Sequence, residues 1–236
     1  MLRWILSPTK TMKPTPTPSK QIPQFDHEAA VLKKKLQAMS QKQLKSHFKL
    51  SDKLSAALYK NIHPWQETHR AVEAYQGQQF KALDVGSLHS AAQAYLEERL
   101  TILSGLYGPL KPNDRIAIYR APLDEGLPQT SLVAFWQKRL NAYFTKDVWV
   151  NCASAEYAQL LPKTDNCIDV DFVELKGTRL TRPSMTLKTM RGLFVRFAAL
   201  EQAETIEDLK AFQAEGFTLH EATDNRLQFI KKNSVL

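Results

Sequence analysis

Residues 2–11 read Leu-Arg-Trp-Ile-Leu-Ser-Pro-Thr-Lys-Thr, and how this stretch is read decides the organisation of the chain. Leu2 to Leu6 is a short apolar run that predicts a buried first strand. It stops at Ser7-Pro8, because proline has no N–H to give to a sheet ladder. Five of the twelve prolines fall between Pro8 and Pro23, so the chain there is extended and lies over the surface. The Thr-Pro-Thr-Pro run resembles an interdomain linker, but a linker here would orphan the strand before it. The stretch is therefore a long loop inside one domain covering residues 1–236, a length that one large domain accommodates. The apolar run is too short for the core of a signal peptide. No stretch approaches the roughly 18–20 apolar residues of a membrane span. The two cysteines, Cys152 and Cys167, are far from a Cys-x-x-Cys spacing, which disfavours a disulfide scaffold and a thiolate zinc site. The expected setting is the cytoplasm.

From Asp26 to about Arg70 the pattern is helical and basic. Leu32 and Leu36, Leu44 and Phe48, and Leu54 and Leu58 are i, i+4 pairs that mark one buried face. Lys33, Lys34, Lys35, Lys42, Lys45, Lys49, Lys53 and Lys60 are expected on the opposite, solvated face. Ser51-Asp52 is a helix start, and a further helix is expected from about Ser87 to Arg99. The second half alternates. Helices are expected over Phe135–Phe144, Ala155–Leu161 and Lys188–Ala203, with another capped by Thr205 and ending near Gly216. Val148–Cys152 reads as a buried strand. Ile168–Leu175 and Thr178–Arg182 form a hairpin around Lys176-Gly177, and Phe217–Glu221 and Arg226–Lys231 form another around Asp224-Asn225. Strands and hairpins mix with helices without regular βαβ alternation, so the class is α+β: a mixed sheet surrounded by helices.

The formal charge of +8 and isoelectric point near 9.4 favour association with polyanions without choosing among them. Four segments could carry chemistry. Ser7, Lys10 and Thr11 follow the first strand, where hydroxyls and a lysine suit an anion, although the glycines of a P-loop are missing. Ser104, Gly105, Tyr107, Gly108 and Lys111 form a Gly-x-x-Gly turn that can bring backbone N–H groups close to a phosphate. With Pro109 able to begin a helix, the segment resembles a helix-hairpin-helix element, although Leu100–Leu103 reads equally as a strand. Arg115 and Arg120 follow closely. Asn151, Ser154, Glu156 and Tyr157 gather at a strand-to-helix junction, where Ser154 can cap the helix and Glu156 can serve either its dipole or acid/base chemistry. Lys188 and Arg191 are i, i+3 neighbours at what reads as a helix start, a favourable phosphate site. Arg196 lies about 140° around the helix from Arg191.

Together these segments resemble the YaaA family of peroxide-stress proteins over nearly the whole chain. The family's Ser-Pro-Ala-Lys-Thr stands opposite Ser7–Thr11, and its Leu-Ser-Gly-Leu-Tyr-Gly is matched in full by Leu103–Gly108. Its Pro-Tyr-Arg is matched at Tyr119-Arg120, and Phe-Trp at Phe135-Trp136. Ala-Ser-Asp-Glu-Tyr is matched by Ala153–Tyr157 with one change, and Lys-x-x-Arg-Gly by Lys188, Arg191 and Gly192. The resemblance implies an α+β fold with a basic cleft and a helix-hairpin-helix element. It implies binding of duplex and structurally disturbed DNA, and protection against peroxide linked to lower free iron and DNA repair. Three acidic positions of the family are lost, at Gln78, near Pro122 and at Ala155, while the cations remain.

The expectation is a DNA-binding stress protein indifferent to base sequence. Its phosphate contacts come from Ser7, Lys10, Thr11, the Ser104–Lys111 turn, Arg115, Arg120, Lys188, Arg191 and Arg196. No cofactor, metal site or membrane partner is expected. The rival reading is an enzyme acting on a nucleotide or another phosphorylated small molecule, with Glu156 as acid/base and Asn151, Ser154 and Tyr157 positioning the substrate. Direct iron sequestration has no support from ligand spacing.

Overall fold

Trp4, Ile5 and Leu6 have no solvent exposure in a computed structural model of the protein, which describes residues 1–144 and 147–232. They belong to β1 (Leu2–Leu6). The long proline-rich loop leads to α1 (Asp26–Gln37), α2 (Gln41–His47) and α3 (Asp52–Ile62). Next come β2 (His69–Arg70), α4 (Ala71–Ala74), α5 (Gln78–Leu83), a 3-10 turn at Val85–Ser87, and α6 (Ser90–Arg99). Then follow β3 (Leu100–Ser104), β4 (Gly108–Leu110), β5 (Arg115–Ile116), α7 (Leu132–Leu140), β6 (Val148–Asn151) and α8 (Ala155–Ala158). The chain continues through β7 (Cys167–Lys176), β8 (Arg179–Thr181), α9 (Ser184–Leu200), α10 (Ile206–Lys210), β9 (Phe217–Thr223) and β10 (Arg226–Lys232).

The main sheet is mixed, with strand order β4-β3-β1-β6-β7-β10-β9 and β8 paired to β7. The class is α+β. The pairs β3–β1, β1–β6, β6–β7 and β7–β10 are parallel, whereas β4, β8 and β9 are antiparallel additions. The chain leaves β1 for β3 on one side and later returns to β6 on the other. That reversal opens a crevice beyond the carboxyl end of β1, the place where open sheets of this kind receive ligands.

The expected basic helical run divides into three helices, the third starting at the expected Ser51-Asp52. Ser40 and Ser51 each accept a hydrogen bond from a backbone N–H three residues on, so each is an N-cap that starts a new helix. Leu32, Leu36, Leu44, Phe48 and Leu58 are buried. Leu54 is instead 57% exposed, because α3 buries Ser55, Leu58 and Ile62. Of the eight lysines, Lys33 departs from the solvated face: it is buried, pairs with Asp26 and Glu67, and lies 4.9 Å from the Tyr107 ring centroid.

The hairpins form close to where turn chemistry places them. The first turns on Gly177-Thr178, one residue later than expected, because Lys176 pairs with Arg179 and only the φ of +60° at Gly177 suits the turn. The last turns at Asp224-Asn225, with Thr223 opposite Arg226. Thr205 and Asp208 make a capping box for α10, which ends at Lys210, short of Gly216. On one face of the sheet, α9 packs through Phe194 onto Phe172, Phe212 and Phe229, with centroids 4.9–5.9 Å apart. Trp4 meets Phe194 edge to face and donates its indole N–H to Tyr95.

Gly192 lets α9 cross α5 without a gap. A Cβ there would stand 2.1 Å from the Gln79 carbonyl oxygen and 2.8 Å from the Ala82 methyl. Gly192→Ala is therefore expected to lower stability by at least ~2 kcal/mol and the melting temperature by about 5 °C or more. Gly86→Ala, with nothing within 4 Å of the added carbon, is the control in the same thermal unfolding measurement. Equal midpoints for the two variants would remove the close crossing as a constraint.

Candidate functional site

The crevice at the carboxyl end of β1 holds a cavity of about 380 Å³. Five stretches of chain wall it: Ser7–Met12 after β1, Gly77–Gln79 at the start of α5, Tyr119–Pro122, the Ser154–Tyr157 junction after β6, and the Met185–Arg191 face of α9. Ser7, Lys10, Thr11, Arg120, Ser154, Glu156, Tyr157, Lys188 and Arg191 line it together. They come from segments far apart in sequence, and the sheet order unites them.

Hydrogen bonds hold these walls in register. The Ser7 hydroxyl accepts the Ser154 backbone N–H at 2.7 Å and donates to the Ser154 hydroxyl at 3.1 Å. Ser154 occupies the N-cap position of α8 but makes no side-chain capping bond. Gln79 donates its amide to the Ser7 carbonyl, which ties α5 to the end of β1. The Tyr119 hydroxyl sits 2.6 Å from both the Tyr75 hydroxyl and the Ser104 Oγ. Burial pushes its pKa up to about 12, so it is a neutral phenol at physiological pH.

The four cations differ in their partners. Glu125 Oε1 accepts from Lys10 Nζ at 2.7 Å and from Arg120 Nη2 at 3.3 Å. Lys188 and Arg191 have no ion pair and no side-chain hydrogen bond among the described residues. The Arg191 Nε is buried without a partner, as is the Arg120 Nε. Burial pulls the Arg191 pKa below its ordinary value, with nearby Cys152 and Asp171 opposing, and a guanidinium stays charged through such a change. A largely buried cation that lacks an anion is unfavourable. The cavity wall thus carries two cations that no carboxylate contacts directly among the described residues.

Glu156 is the acid of the site. Burial raises its pKa first, and neighbouring Asp124 raises it further, against the Asp124 backbone N–H that it accepts at 3.3 Å. Its carboxyl therefore holds a proton to higher pH than an exposed glutamate does.

The helix-hairpin-helix expectation is corrected. Leu100–Ser104 and Gly108–Leu110 are antiparallel strands, with Pro109 opposite Leu103 in the ladder rather than beginning a helix. The backbone N–H groups of Leu106 and Tyr107 are taken by Ser104 Oγ at 3.1 and 2.9 Å, so they do not face a phosphate. A Cβ on Gly105 would stand 2.1 Å from the Ala121 carbonyl oxygen, and Gly108, at φ +69°, lies against the Trp136 ring. Trp136 also donates its indole N–H to the Gly105 carbonyl. Both glycines therefore serve packing.

Other candidates lie outside the cavity wall. Tyr107 is buried, and its hydroxyl donates to Glu67 and accepts the Ala117 N–H. Lys111 is exposed beyond β4, and Arg115 lies in the β2–β5 ribbon. Arg196 donates to the carbonyls of Leu83 and Asp84. Asn151 donates to Asp169 and accepts the Ala153 N–H, so it shapes the chain after β6. Because α9 begins at Ser184, Lys188 and Arg191 project from its side, and its first-turn N–H groups lie a turn away from them.

Of the lost acidic positions, Gln78 and Pro122 line the cavity, and Ala155 is exposed outside it. Sequence reasoning missed Glu125, which returns a carboxylate to the cleft. The signal was present in Pro122-Leu-Asp-Glu, which carries an acid three residues beyond the lost one. It also missed Gln79, whose amide bond to Ser7 no local pattern announces.

No helix among the described residues is long and apolar enough to cross a membrane. Among them, no group of three or more His, Cys, Asp or Glu side chains is arranged to hold a metal ion. The sequence model of the family described as peroxide stress protein YaaA matches residues 2–223. A UPF0246 protein of Finegoldia magna is 31% identical over 242 residues, covering 98% of each chain. Another from Marinomonas sp. is 30% identical, covering 99% of this chain and 98% of its own. A third, from Flavobacterium johnsoniae, is 32% identical, covering 92% and 94%.

Neither thiol is prepared for reaction with peroxide. Cys152 is fully buried, and burial pushes its pKa up to about 12; burial and Asp169 push Cys167 to about 11. The thiolate, the reactive form, is therefore scarce. At pH 8 an aromatic disulfide reagent is expected to modify Cys167 slowly and Cys152 only after unfolding. Fast labelling of Cys152 in the folded protein would contradict its burial.

Proposed function

Since the chain belongs to the peroxide stress protein YaaA family, which fits a role in the peroxide stress response, we propose that it acts there by binding DNA. The phosphates are held in the basic cleft, and base sequence is not read. Bound in this way in the cytoplasm, the protein helps limit iron-dependent oxidative damage to the DNA it covers. The observation that carries this reading is Arg191, whose buried Nε has no hydrogen-bond partner, beside Lys188 in the wall of a shared cavity. Lys10 and Arg120 line the same cavity. Contacts of this kind position a nucleic acid through its backbone and give affinity without sequence preference. The Ser104–Lys111 hairpin takes no part, and neither does Arg196.

A second reading is favoured by the concave shape of the cavity and by Glu156. About 380 Å³ suits a small ligand, and a glutamate whose pKa is raised by burial is a candidate general acid. On this reading the same cations hold the phosphate of a nucleotide or another phosphorylated small molecule. Glu156 then moves a proton while Ser154 and Tyr157 position the substrate.

A mobility-shift series on duplex, bubbled and junction DNA across salt concentrations, with mononucleotides as competitors, separates the two. DNA binding through phosphates predicts that log K falls linearly with log salt, by about 0.9 per phosphate neutralised. Lys188→Ala with Arg191→Ala is expected to weaken every DNA alike and to flatten that slope by about 1.8. Glu156→Gln, which removes an acidic group from the wall, is expected not to weaken DNA binding. An unaltered slope in the double variant would remove the cleft from the DNA-binding surface. Turnover of a nucleotide lost in Glu156→Gln would establish the enzymatic reading instead.

A further inference from the structure

Glu125 is absent from the cavity wall, yet it contacts two of the cations that form it. One oxygen, Oε1, serves both Lys10 at 2.7 Å and Arg120 at 3.3 Å. The other, Oε2, is buried with no partner, and so is Arg120 Nε. An arginine that engages a carboxylate fully does so with two parallel bonds. This arrangement leaves half of each group unused. The turn that carries Glu125 is anchored from outside the cavity: Gly126 adopts φ +64°, its N–H reaches the Pro122 carbonyl, and its carbonyl lies 3.2 Å from His47 Nε2. Phe48 lies beneath the Arg120 guanidinium. The cleft cations therefore fall into two pairs. Lys188 and Arg191 face the cavity with no carboxylate paired to either among the described residues, and Lys10 and Arg120 are held back by one.

We propose that Glu125 is a resident counter-ion that sets the anion specificity of the cleft. It competes with the incoming ligand for Lys10 and Arg120, so that a phosphoryl group is admitted and a simple carboxylate is not. This rests on the phosphate-binding reading of the cavity. A phosphoryl group settles first on Lys188 and Arg191 and has further oxygens to offer Lys10 and Arg120, which exchange one acceptor for another. A monocarboxylate held by Lys188 and Arg191 has no oxygen left to compensate them. Lys10 is 50% exposed in its side chain, so its pair with Glu125 is screened and readily exchanged.

The test uses the full chain and calorimetric titration with inorganic phosphate and with acetate. Glu125→Gln keeps the size of the side chain and removes its charge. It is expected to bind phosphate about fivefold more tightly, the worth of a partly exposed ion pair, and to gain measurable acetate binding. Glu125→Ala is expected to do the same. Adding Lys10→Gln to Glu125→Gln removes most of the gain, because Lys10 is one of the two cations released. On duplex DNA the salt slope of Glu125→Gln steepens by about 0.9 for each cation freed. Unchanged or weaker phosphate affinity in both Glu125 variants, with circular dichroism showing native structure, overturns the proposal, as does an absence of phosphate binding in every form. If phosphate binding follows the expected order and no form binds DNA, the DNA reading fails and the role of Glu125 stands. If DNA is bound while the Glu125 variants match the parent chain on phosphate, only the role of Glu125 fails.

Discussion

Everything in the cleft depends on β1 being hydrogen-bonded along both edges. Trp4, Ile5 and Leu6 pair with Leu100, Thr101 and Ile102 on one side, and Leu2–Ile5 pair with Val148–Asn151 on the other. A strand held in this way has no freedom to slide, since a one-residue slip would bring the charged Arg3 to a position that Leu2 or Trp4 fills in the core. The residue that follows it, Ser7, therefore arrives at a fixed point. There its hydroxyl meets Ser154 and its carbonyl meets Gln79. From that point the positions of the Ser7–Met12 loop, the α8 junction and the α5 start are set relative to one another.

The second dependence is steric. Arg191 reaches the cavity because Gly192, the next residue, allows α9 to lie against the backbone of α5. A glycine adjoining a functional cation is here a packing device, as are Gly105 and Gly108 beneath Ala121 and Trp136. Short motifs that combine glycine with cations can thus be read too chemically. The glycines set how near the helices and strands come, and the cations use the space that results.

Much of the fold was legible because its signals are local. The apolar run of β1, the Leu32–Leu36 and Leu44–Phe48 pairs, the Ser51 and Thr205 caps and the hairpin at Asp224-Asn225 each announce themselves within a few residues. The convergence of Ser7, Lys10, Arg120, Glu156, Lys188 and Arg191 was carried by family resemblance, since no spacing rule reveals sheet order. The Gly105–Gly108 turn was misread because a Gly-x-x-Gly turn fits a helical or a strand hairpin equally well. What decided it was the all-buried Leu100–Ser104 stretch and its pairing across the turn. Lys33 was misplaced for a related reason: its partner Glu67 lies 34 residues on, and no helical periodicity anticipates a buried ion pair with a loop.

The lysines that do remain exposed on α1–α3 have a consequence of another kind. Lys34, Lys35, Lys42, Lys45, Lys49, Lys53 and Lys60 line no part of the cavity, yet α2 adjoins its wall through Phe48 and His47. A bound polyanion gains little from charges that never touch it. Its approach is another matter, because a net positive charge guides diffusion over distances set by the ionic strength. On the DNA-binding reading proposed above, these lysines would act on how often a polyanion arrives, and the cleft on how long it stays.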